Sequence, residues 1–324
     1  MKVFVTGGNG FIGSCVVRTL VREGHEVRCL LRKSSNIDRL AGYRYERALG
    51  DVRDPMSIAA GMDGCEAVIH LASLSAWDQI DSPLMDEVVL GGTRNVLAAA
   101  SARPGTRVVF VSSTLAINAS DRPVTFDESS AFTAPLDGLT YSRSKLEAEA
   151  LCLRAANDGV HVTIVNPGEV YGPEDTSLIT SCNLIDFATS SPVLVCDGGM
   201  SVAFIDDVAN GVVQAMLKGR SGERYILSGD NLSVYELASL TLKLLGKRTR
   251  VIKIPNGLIR PLAKAGLKFR LPLPFNPRVI PYATKYWFTS SWKAGSELGV
   301  KFRPARDALL PTLDWLIESG RIPS

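Results

Sequence analysis

The 324-residue sequence lacks several features that would point to particular classes of protein. Its 36 basic and 33 acidic residues nearly balance, so the composition gives no indication of nucleic-acid binding. No apolar run approaches the length that spans a bilayer, and the N-terminal MKVFVTGG has no apolar signal core. We therefore expect a cytoplasmic protein without stable membrane insertion.

Cysteine is sparse and scattered. No CxxC pair or close cluster occurs, so the sequence predicts neither a metal site nor a disulfide framework. Reduced thiols in a cytosolic protein are the simplest interpretation. The six cysteines are Cys15, Cys29, Cys65, Cys152, Cys182 and Cys196.

The first half of the chain alternates short apolar runs with helical patterns. The run 2–6 is followed by glycines and then by an amphipathic stretch that Gly24 ends. Further helical patterns lie at 84–101 and 141–156. Such alternation predicts an α/β fold with a doubly wound parallel sheet of the Rossmann type. The other apolar runs are HEVRCLLR, EAVIHLA, TRVVFVSS and VHVTIVNP.

The second half has a looser pattern. A helix is expected at 233–246 after the cap candidate Ser233, whereas the prolines of 251–281 predict irregular apolar segments. We predict a dinucleotide-binding Rossmann domain at 1–166. Residues 167–324 would form mainly a smaller, mixed substrate-binding lobe, with some segments returning to the Rossmann sheet.

A glycine-rich turn, TGGNGFIG, follows the first strand and opens the first helix. Gly7 would allow a tight turn, Gly10 would let the backbone approach a pyrophosphate, and Gly13 would let helix and strand pack closely. The strand–turn–helix context raises this pattern above a turn with spare glycines. It predicts a dinucleotide site.

The end of the second strand indicates which dinucleotide binds. NAD-preferring enzymes usually carry an acid there, but this sequence reads Leu31, Arg32, Lys33, followed by two serines. The two cations could pair with a 2′-phosphate, so NADP(H) is favoured over NAD(H). The alternatives are NAD(H) itself and a merely solvated basic loop.

Tyr141 and Lys145 are spaced i and i+4, which places them on one helix face. A nearby ammonium stabilises a phenolate, so the pair could move a proton to or from a carbonyl or alcohol oxygen. An isolated pair of this kind is more often a surface pair. Here, however, a strand ending in Ser112 and Ser113 lies upstream, at the carboxyl edge where this fold holds ligands.

Six ordered motifs resemble the extended short-chain dehydrogenase/reductases, which belong to the epimerase/dehydratase superfamily. They are TGGNGFIG, GDVRD, HLAS, VVFVSS, YSRSK and NPGEVYGPED. The chain looks most like the branch of dihydroflavonol reductases and hydroxysteroid dehydrogenases, and its later segments resemble hopanoid-associated sugar epimerases. The resemblance covers nearly the whole chain.

The resemblance implies roles for individual residues. Ser113 would polarise the substrate oxygen, Tyr141 would be the general acid in reduction, and Lys145 would bind the ribose and lower the pKa of the tyrosine. Homodimers would form through helices 84–101 and 141–156. The implied cofactor contacts, including the turn and the basic pair, are Gly7, Gly10, Phe11, Ile12, Gly13, Arg32, Lys33, Asp51, Val52, Leu71, Ala72, Ser112, Tyr141, Lys145, Pro167, Gly168 and Val170.

One position departs from the family pattern. Where the family often reads NVxGTxNVL, this chain reads VVLGGTRNVL, so Val89 replaces the first asparagine while Asn95 remains. If that asparagine holds a helix or a water, its role must be replaced or lost.

The segment 253–281 bears on the substrate. It has six Lys or Arg residues and no acid, with leucines, phenylalanines and prolines between them. An apolar lid with a basic rim would suit a hydrophobic ketone or an anionic carrier group. A loose contact with a membrane surface, or a packed segment with solvated charges, are the other interpretations.

Three hypotheses of function follow. The first is an NADP(H)-dependent oxidoreductase that reduces a ketone, or oxidises the alcohol, of a fairly apolar small molecule. The second is a nucleotide-sugar epimerase or dehydratase with tightly bound NAD. The third is a non-catalytic NADPH-binding protein.

Overall fold

A computed structural model describes residues 1–74, 77, 79–273 and 275–323. Its centre is a parallel sheet of seven strands, which lie in the order β11-β7-β5-β4-β1-β2-β3. The order reverses beside β1, as expected for a doubly wound fold. The strands are β1 (Lys2–Thr6), β2 (Glu26–Leu31), β3 (Glu46–Leu49), β4 (Ala67–His70), β5 (Arg107–Val111), β7 (His161–Pro167) and β11 (Arg224–Leu227).

Helices cover both faces of this sheet. In β1, Val3 and Val5 pack into one apolar cluster while Phe4 packs into the other, because successive strand residues point to opposite faces. The first cluster lies under α1 (Phe11–Arg22), α7 (Ile205–Lys218) and α11 (Ala305–Glu318). The second lies under α2 (Pro55–Gly61), α4 (Gly92–Ser101) and α5 (Thr140–Asn157). The Rossmann-type prediction is confirmed.

The remaining strands form smaller sheets. β10 (Gly199–Phe204) pairs with β8 (Glu169–Tyr171) and β14 (Tyr286–Thr289) in parallel and with β12 (Asn231–Ser233) antiparallel. β14 also pairs with β6 (Thr125–Phe126), and β9 (Val193–Cys196) pairs with β13 (Val251–Ile254). The other helices are α3 (Leu84–Asp86), α6 (Ser181–Thr189), α8 (Val234–Leu244), α9 (Asn256–Phe269) and α10 (Ile280–Ala283).

Segments after residue 166 contribute directly to the central layer. β11 pairs with β7, and α7 packs against α1. The division of the chain at residues 166 and 167 stays a prediction. Helix α8 begins after Ser233, whose hydroxyl accepts a hydrogen bond from the Glu236 N–H, as the capping pattern predicts.

The prediction of irregular structure at 251–281 is wrong. Most of this segment is β13, α9 and α10, and α9 continues through Pro261. A proline inside a helix removes one backbone hydrogen bond. Burial of Ile259 and Ala263 holds the helix on the protein, and Pro255 precedes its first turn, where proline is tolerated.

Candidate active site

The glycine turn has the close packing that its spacing predicts. Gly7 has φ +73°, and a side chain there would lie 2.8 Å from the Ala72 nitrogen. A side chain at Gly13 would lie 2.0 Å from the Gly7 carbonyl oxygen. Gly10 directly precedes α1, whose first turn, with Phe11 and Ile12, contains no acid. The open backbone and helix N-terminus therefore fit a dinucleotide pyrophosphate.

The end of β4 lies beside this turn. The Ala72 N–H donates to Thr6 Oγ1 at 3.3 Å, and Leu71 precedes it at the carboxyl edge. His70 is buried, with Thr6 Oγ1 2.7 Å from Nδ1 and Thr93 Oγ1 3.3 Å from Nε2. Burial, together with a smaller effect of the Lys145 charge, lowers the pKa of His70 to about 3. His70 is thus a neutral strand residue, packed behind the turn.

The loop after β2 presents the predicted cations to solvent. Arg32 and Lys33 are exposed, and neither pairs with a carboxylate among the described residues. The Arg32 N–H donates to Ser35 Oγ at 3.0 Å, so this hydroxyl closes the loop. The two charged side chains are therefore available to an anionic ligand.

Asp51 and Val52, which the resemblance implies as cofactor contacts, follow β3. The Asp51 carboxylate accepts two hydrogen bonds from the Arg53 guanidinium, each 3.0 Å long. Those bonds lower the pKa of Asp51. Val52 is buried, and its carbonyl accepts a 2.9 Å hydrogen bond from Asn95 Nδ2. The asparagine that this chain retains thus anchors α4 to the loop after β3.

Sequence reasoning missed a third basic residue, Arg39, near the dinucleotide turn. The Arg39 guanidinium donates to the Glu174 carbonyl at 3.0 Å and to Thr176 Oγ1 at 2.6 Å. It also lies 3.5 Å from the Asn9 carbonyl in the glycine turn. Arg39 joins the turn to the loop after β8, and no local motif marks this long-range contact.

Helix α5 brings Tyr141 and Lys145 to the end of β5. The Lys145 ammonium is buried, donates to the Val111 carbonyl at 2.9 Å and lies 5.7 Å from the centre of the Tyr141 ring. The Ser113 side chain lies close enough to Tyr141 to lower the pKa of its hydroxyl. Ser113 Oγ accepts from the Leu115 N–H at 3.2 Å. The three predicted catalytic side chains therefore meet at the carboxyl edge of the sheet.

The pKa of Tyr141 is raised in this structure, whereas the family resemblance implied that it would be lowered. Burial, opposed in part by the Ser113 side chain, raises the pKa of Tyr141 to about 12. Burial also lowers the pKa of Lys145 to about 8, while the charge of Glu149 raises it. Desolvation is the largest cause of both shifts. At neutral pH Tyr141 keeps its proton, as a proton donor requires.

A buried carboxylate lies behind this triad and was missed by the sequence analysis. Glu149 Oε1 accepts hydrogen bonds from Ser112 Oγ at 2.5 Å and from Asn166 Nδ2 at 2.6 Å. Arg224 Nη1 lies 3.5 Å from its other oxygen. Burial raises the pKa of Glu149. The Ser112 hydroxyl is therefore engaged within the protein, although it was expected among the cofactor contacts.

Glu149 lies one further helical turn beyond Lys145, so spacing could have indicated it. Nothing local shows that it pairs with residues of β7 and β11. Asn166 also donates to the Ser113 carbonyl at 2.9 Å, which connects the network to the predicted catalytic serine.

The turn after β7 lies on the other side of the site. Pro167 ends β7, and a side chain at Gly168 would lie 2.4 Å from the Ser201 carbonyl oxygen. Val170 is buried in the core, and its carbonyl accepts from Thr180 Oγ1 at 2.6 Å. These residues lie at the same edge as Ser113, because β5 and β7 are parallel neighbours.

A second missed carboxyl group follows Gly168. Glu169 Oε1 accepts hydrogen bonds from the Tyr171 hydroxyl at 2.7 Å and from Asn183 Nδ2 at 2.8 Å. Burial raises the pKa of Glu169 to about 6. The three side chains form a polar cluster between β8 and α6.

The Val89 position keeps an unusual helical geometry. Residues Glu87–Gly91 form a π-helical turn between α3 and α4, and Val89 is buried within it. The Thr93 hydroxyl donates to the Val89 carbonyl at 2.6 Å. The π-helical turn therefore forms in this chain with valine at position 89, where the family often has asparagine.

Aromatic side chains enclose the start of α5. The Tyr141 N–H donates to the Tyr282 hydroxyl at 3.0 Å, and the Trp77 ring meets the Tyr282 ring edge-on at 5.3 Å. Leu115 and Phe132 belong to the same apolar cluster as Tyr141. Tyr141 therefore packs against a large apolar cluster.

The fold and the glycine turn are typical of a dinucleotide-binding protein, and Ser113, Tyr141 and Lys145 lie at the sheet edge where the sequence predicts the catalytic residues. Comparison with known protein families agrees with this assignment to the dinucleotide-binding enzymes. Residues 3–228 match the model of the NAD dependent epimerase/dehydratase family, and the chain belongs to that family. It is an NAD(P)-dependent oxidoreductase of the extended short-chain type, and such enzymes act on small molecules.

Similar proteins have several activities. A Synechocystis protein named as a dihydroflavonol 4-reductase is 30% identical, covering 98% of this chain and 95% of that protein. The 4-hydroxy-2-methyl-3-oxo-4-farnesyl-3,4-dihydroquinoline-1-oxide ketoreductase of Stigmatella aurantiaca is 32% identical over 82% of this chain and 80% of its own. A nucleoside-diphosphate-sugar epimerase structure from Pseudomonas aeruginosa has a TM-score of 0.81, 25% identity and 99% coverage of each chain.

Two further observations concern the remaining expectations. Within the described ranges, no helix is long and apolar enough to cross a membrane, and no three His, Cys, Asp or Glu residues are grouped to hold a metal ion. All six cysteines are free thiols, and five of them are buried.

Proposed function

We propose that this protein is an NADPH-dependent reductase of a ketone on an apolar small molecule. When the alcohol product accumulates, the same site would oxidise it back to the ketone. The observation that carries the proposal is the protonated, partly buried Tyr141, which lies near Ser113 and Lys145 and packs against an apolar cluster. The enzyme class is that of its family. The ketone, the NADP preference and the residue roles are the proposed part.

Each residue of the triad has a defined task. The bound nicotinamide supplies the hydride. Ser113 donates a hydrogen bond that holds the substrate oxygen near Tyr141, and Tyr141 gives its proton to that oxygen as the alcohol forms. Lys145 holds the ribose and, as a cation, stabilises the phenolate that remains. Glu149 keeps Lys145 charged and Ser112 in place.

The preference for NADPH is argued from charge. Arg32 and Lys33 follow β2, where an NAD-preferring enzyme usually has an acid. Both side chains are exposed and unpaired within the described chain, so they can bind a 2′-phosphate without first breaking an ion pair. The other cofactor contacts proposed are those of the glycine turn and of the residues after β3, β4 and β7.

An apolar substrate is supported by the side chains around Tyr141. Trp77, Leu115 and Phe132 all pack into its cluster. The Stigmatella relative is named for a ketone that carries a farnesyl group, which is consistent with such surroundings.

The epimerase family name and the likeness to a sugar-nucleotide epimerase favour a second candidate. In that case the protein would hold NAD tightly and regenerate it in each turnover. The homologues are named enzymes, so a non-catalytic NADPH-binding protein is the least supported alternative.

The test is a titration of the purified protein with NADPH and NADH, followed by the absorbance of reduced nicotinamide with a panel of apolar ketones. We expect tighter binding of NADPH and its oxidation by at least one ketone. Tightly retained NAD without net oxidation would contradict the proposal, and nucleotide sugars would then be the substrates to test.

A further inference from the structure

Helix α9 and the residues after it carry apolar side chains on the outside of the molecule. Their exposed fractions are large for leucine and phenylalanine, which a folded chain normally buries. We call these five residues the α9 surface. They are Leu258 at 68%, Leu262 at 46%, Leu267 at 43%, Phe269 at 64% and Leu271 at 47%.

The rest of the helix does not explain this exposure. Only a narrow stripe of Ile259, Ala263 and Gly266 is buried against the protein. A helix attached by such a stripe normally has a polar outer face. Residues 257–275, however, contain no Ser, Thr, Asn, Gln, Asp or Glu. An exposed apolar group of this size marks a binding surface.

The charged residues among these leucines are all basic. Arg260 is engaged, since it donates to Asp121 at 2.8 Å and to the Thr284 hydroxyl at 2.9 Å. Lys264, Lys268 and Arg270 are exposed, and the described part of the chain offers them no carboxylate partner. The surface is therefore complementary to an extended array of negative charge.

We propose that the α9 surface docks on an anionic lipid bilayer, with the helix lying flat in the headgroup layer. Leucine and phenylalanine would enter the acyl boundary, while the lysines and Arg270 would meet lipid phosphates. A protein partner is less consistent with this composition, because protein interfaces are depleted in lysine and use hydrogen-bonding side chains. Bilayer headgroups require no side-chain hydrogen bonds of defined geometry.

The docking surface is connected to the active site. The chain runs from α9 past Arg278, which donates to Asp81 at 3.0 Å, into α10. There the Tyr282 hydroxyl accepts the Tyr141 N–H at 3.0 Å. Docking would thus hold a bilayer against the segment that leads to Tyr282, the residue in contact with Tyr141. That an apolar ketone enters from the bilayer rests on the proposed function, whereas docking itself does not.

The test is co-sedimentation of the full-length protein with vesicles of phosphatidylcholine alone or with about one third phosphatidylglycerol. We expect binding to the anionic vesicles at low salt, a loss on raising the salt concentration, and about 10-fold weaker binding to the neutral ones. Leu262→Glu combined with Phe269→Glu should lower the partition coefficient at least about 10-fold. Lys264→Glu combined with Lys268→Glu should lower it by a similar factor.

The control is Met56→Glu, which changes a residue exposed at 74% in the first turn of α2. This variant should bind vesicles like the unmodified protein. NADPH binding and circular dichroism establish that each variant is folded. Because sedimentation needs no turnover, its result is independent of whether any ketone is reduced.

Absence of binding to anionic vesicles, or equal binding by the α9 double variants, would overturn the proposal. If the protein is instead a dimer that Leu262→Glu with Phe269→Glu converts to a monomer, and no vesicles are bound, the surface serves a second copy of the chain. Light scattering of the same samples measures that outcome.

Discussion

The two sides of the candidate site are built differently. On the proton-transfer side, Lys145 and Glu149 are buried and joined to Val111, Ser112 and Asn166 by hydrogen bonds. On the phosphate side, Arg32 and Lys33 are exposed on a loop. A side chain that gives up or takes up a proton depends on a fixed, desolvated environment, which sets its pKa. A cation that binds a phosphate can remain in water until the ligand arrives.

The largest effect should come from the proton donor itself. We expect Tyr141→Phe to lower kcat for ketone reduction by about 10³-fold, because the ring stays and only the proton-donating hydroxyl group is lost. NADPH affinity should change less than about 3-fold. Steady-state kinetics and fluorescence titration measure the two quantities.

Tyr43→Phe is a matched control, because it removes a tyrosine hydroxyl outside the site and should leave kcat unchanged. A Tyr141→Phe variant that retains most of its turnover would contradict the assigned role.

On the phosphate side, Arg32→Ala should weaken NADPH binding by about 10-fold and leave NADH nearly unchanged. The guanidinium is solvated, so its contribution is discounted relative to a buried ion pair. Isothermal titration with both cofactors measures the ratio. Arg306→Ala, another exposed arginine, should affect neither, and an equal effect of Arg32→Ala on both cofactors would refute the phosphate assignment.

The buried His70 predicts an acid-sensitive fold. Its pKa of about 3 lies below the ordinary value of 6.5, so the unfolded chain binds more protons between these pH values. The free energy of unfolding should therefore fall as the pH falls below 6.5. We expect His70 to account for about 1–2 kcal/mol of the loss between pH 7 and pH 5.

Urea unfolding at both pH values, with His70→Gln for comparison, isolates this contribution. The difference between the two proteins should shrink at pH 5, because glutamine does not titrate. A difference that stays constant would show that His70 does not drive the acid response.

The smallest predicted effect concerns the carboxylate behind the lysine. Because Glu149 raises the pKa of Lys145, Glu149→Gln should move the alkaline loss of activity to lower pH. The unmodified enzyme should lose reductase activity as the pH rises through about 8, and the variant should be roughly 3- to 10-fold less active at pH 8.

A purely structural role for Glu149 would lower stability without moving the pH profile. Glu147→Gln, on the exposed face of the same helix, provides the matched control. An unshifted profile in Glu149→Gln would exclude the proposed electrostatic role.

Features that depend on neighbouring residues could be predicted from the sequence. Gly7 and Gly13 follow a β run and open a helix, and their close contacts are those that the spacing predicts. Tyr141 and Lys145 share a helix face because a helix repeats every 3.6 residues. Such local rules also identified the parallel sheet and the cap of α8.

Which distant side chains meet depends on the folding of the whole chain. Glu149, Asn166 and Arg224 come from α5, β7 and β11, and no local pattern links them. Burial, which depends on the whole fold, set the pKa of Tyr141 above its ordinary value where the local pair alone predicted a lower one. Likewise, the prolines of 251–281 indicated irregular structure, but the packing of Ile259 and Ala263 made α9 a helix and left its leucines exposed.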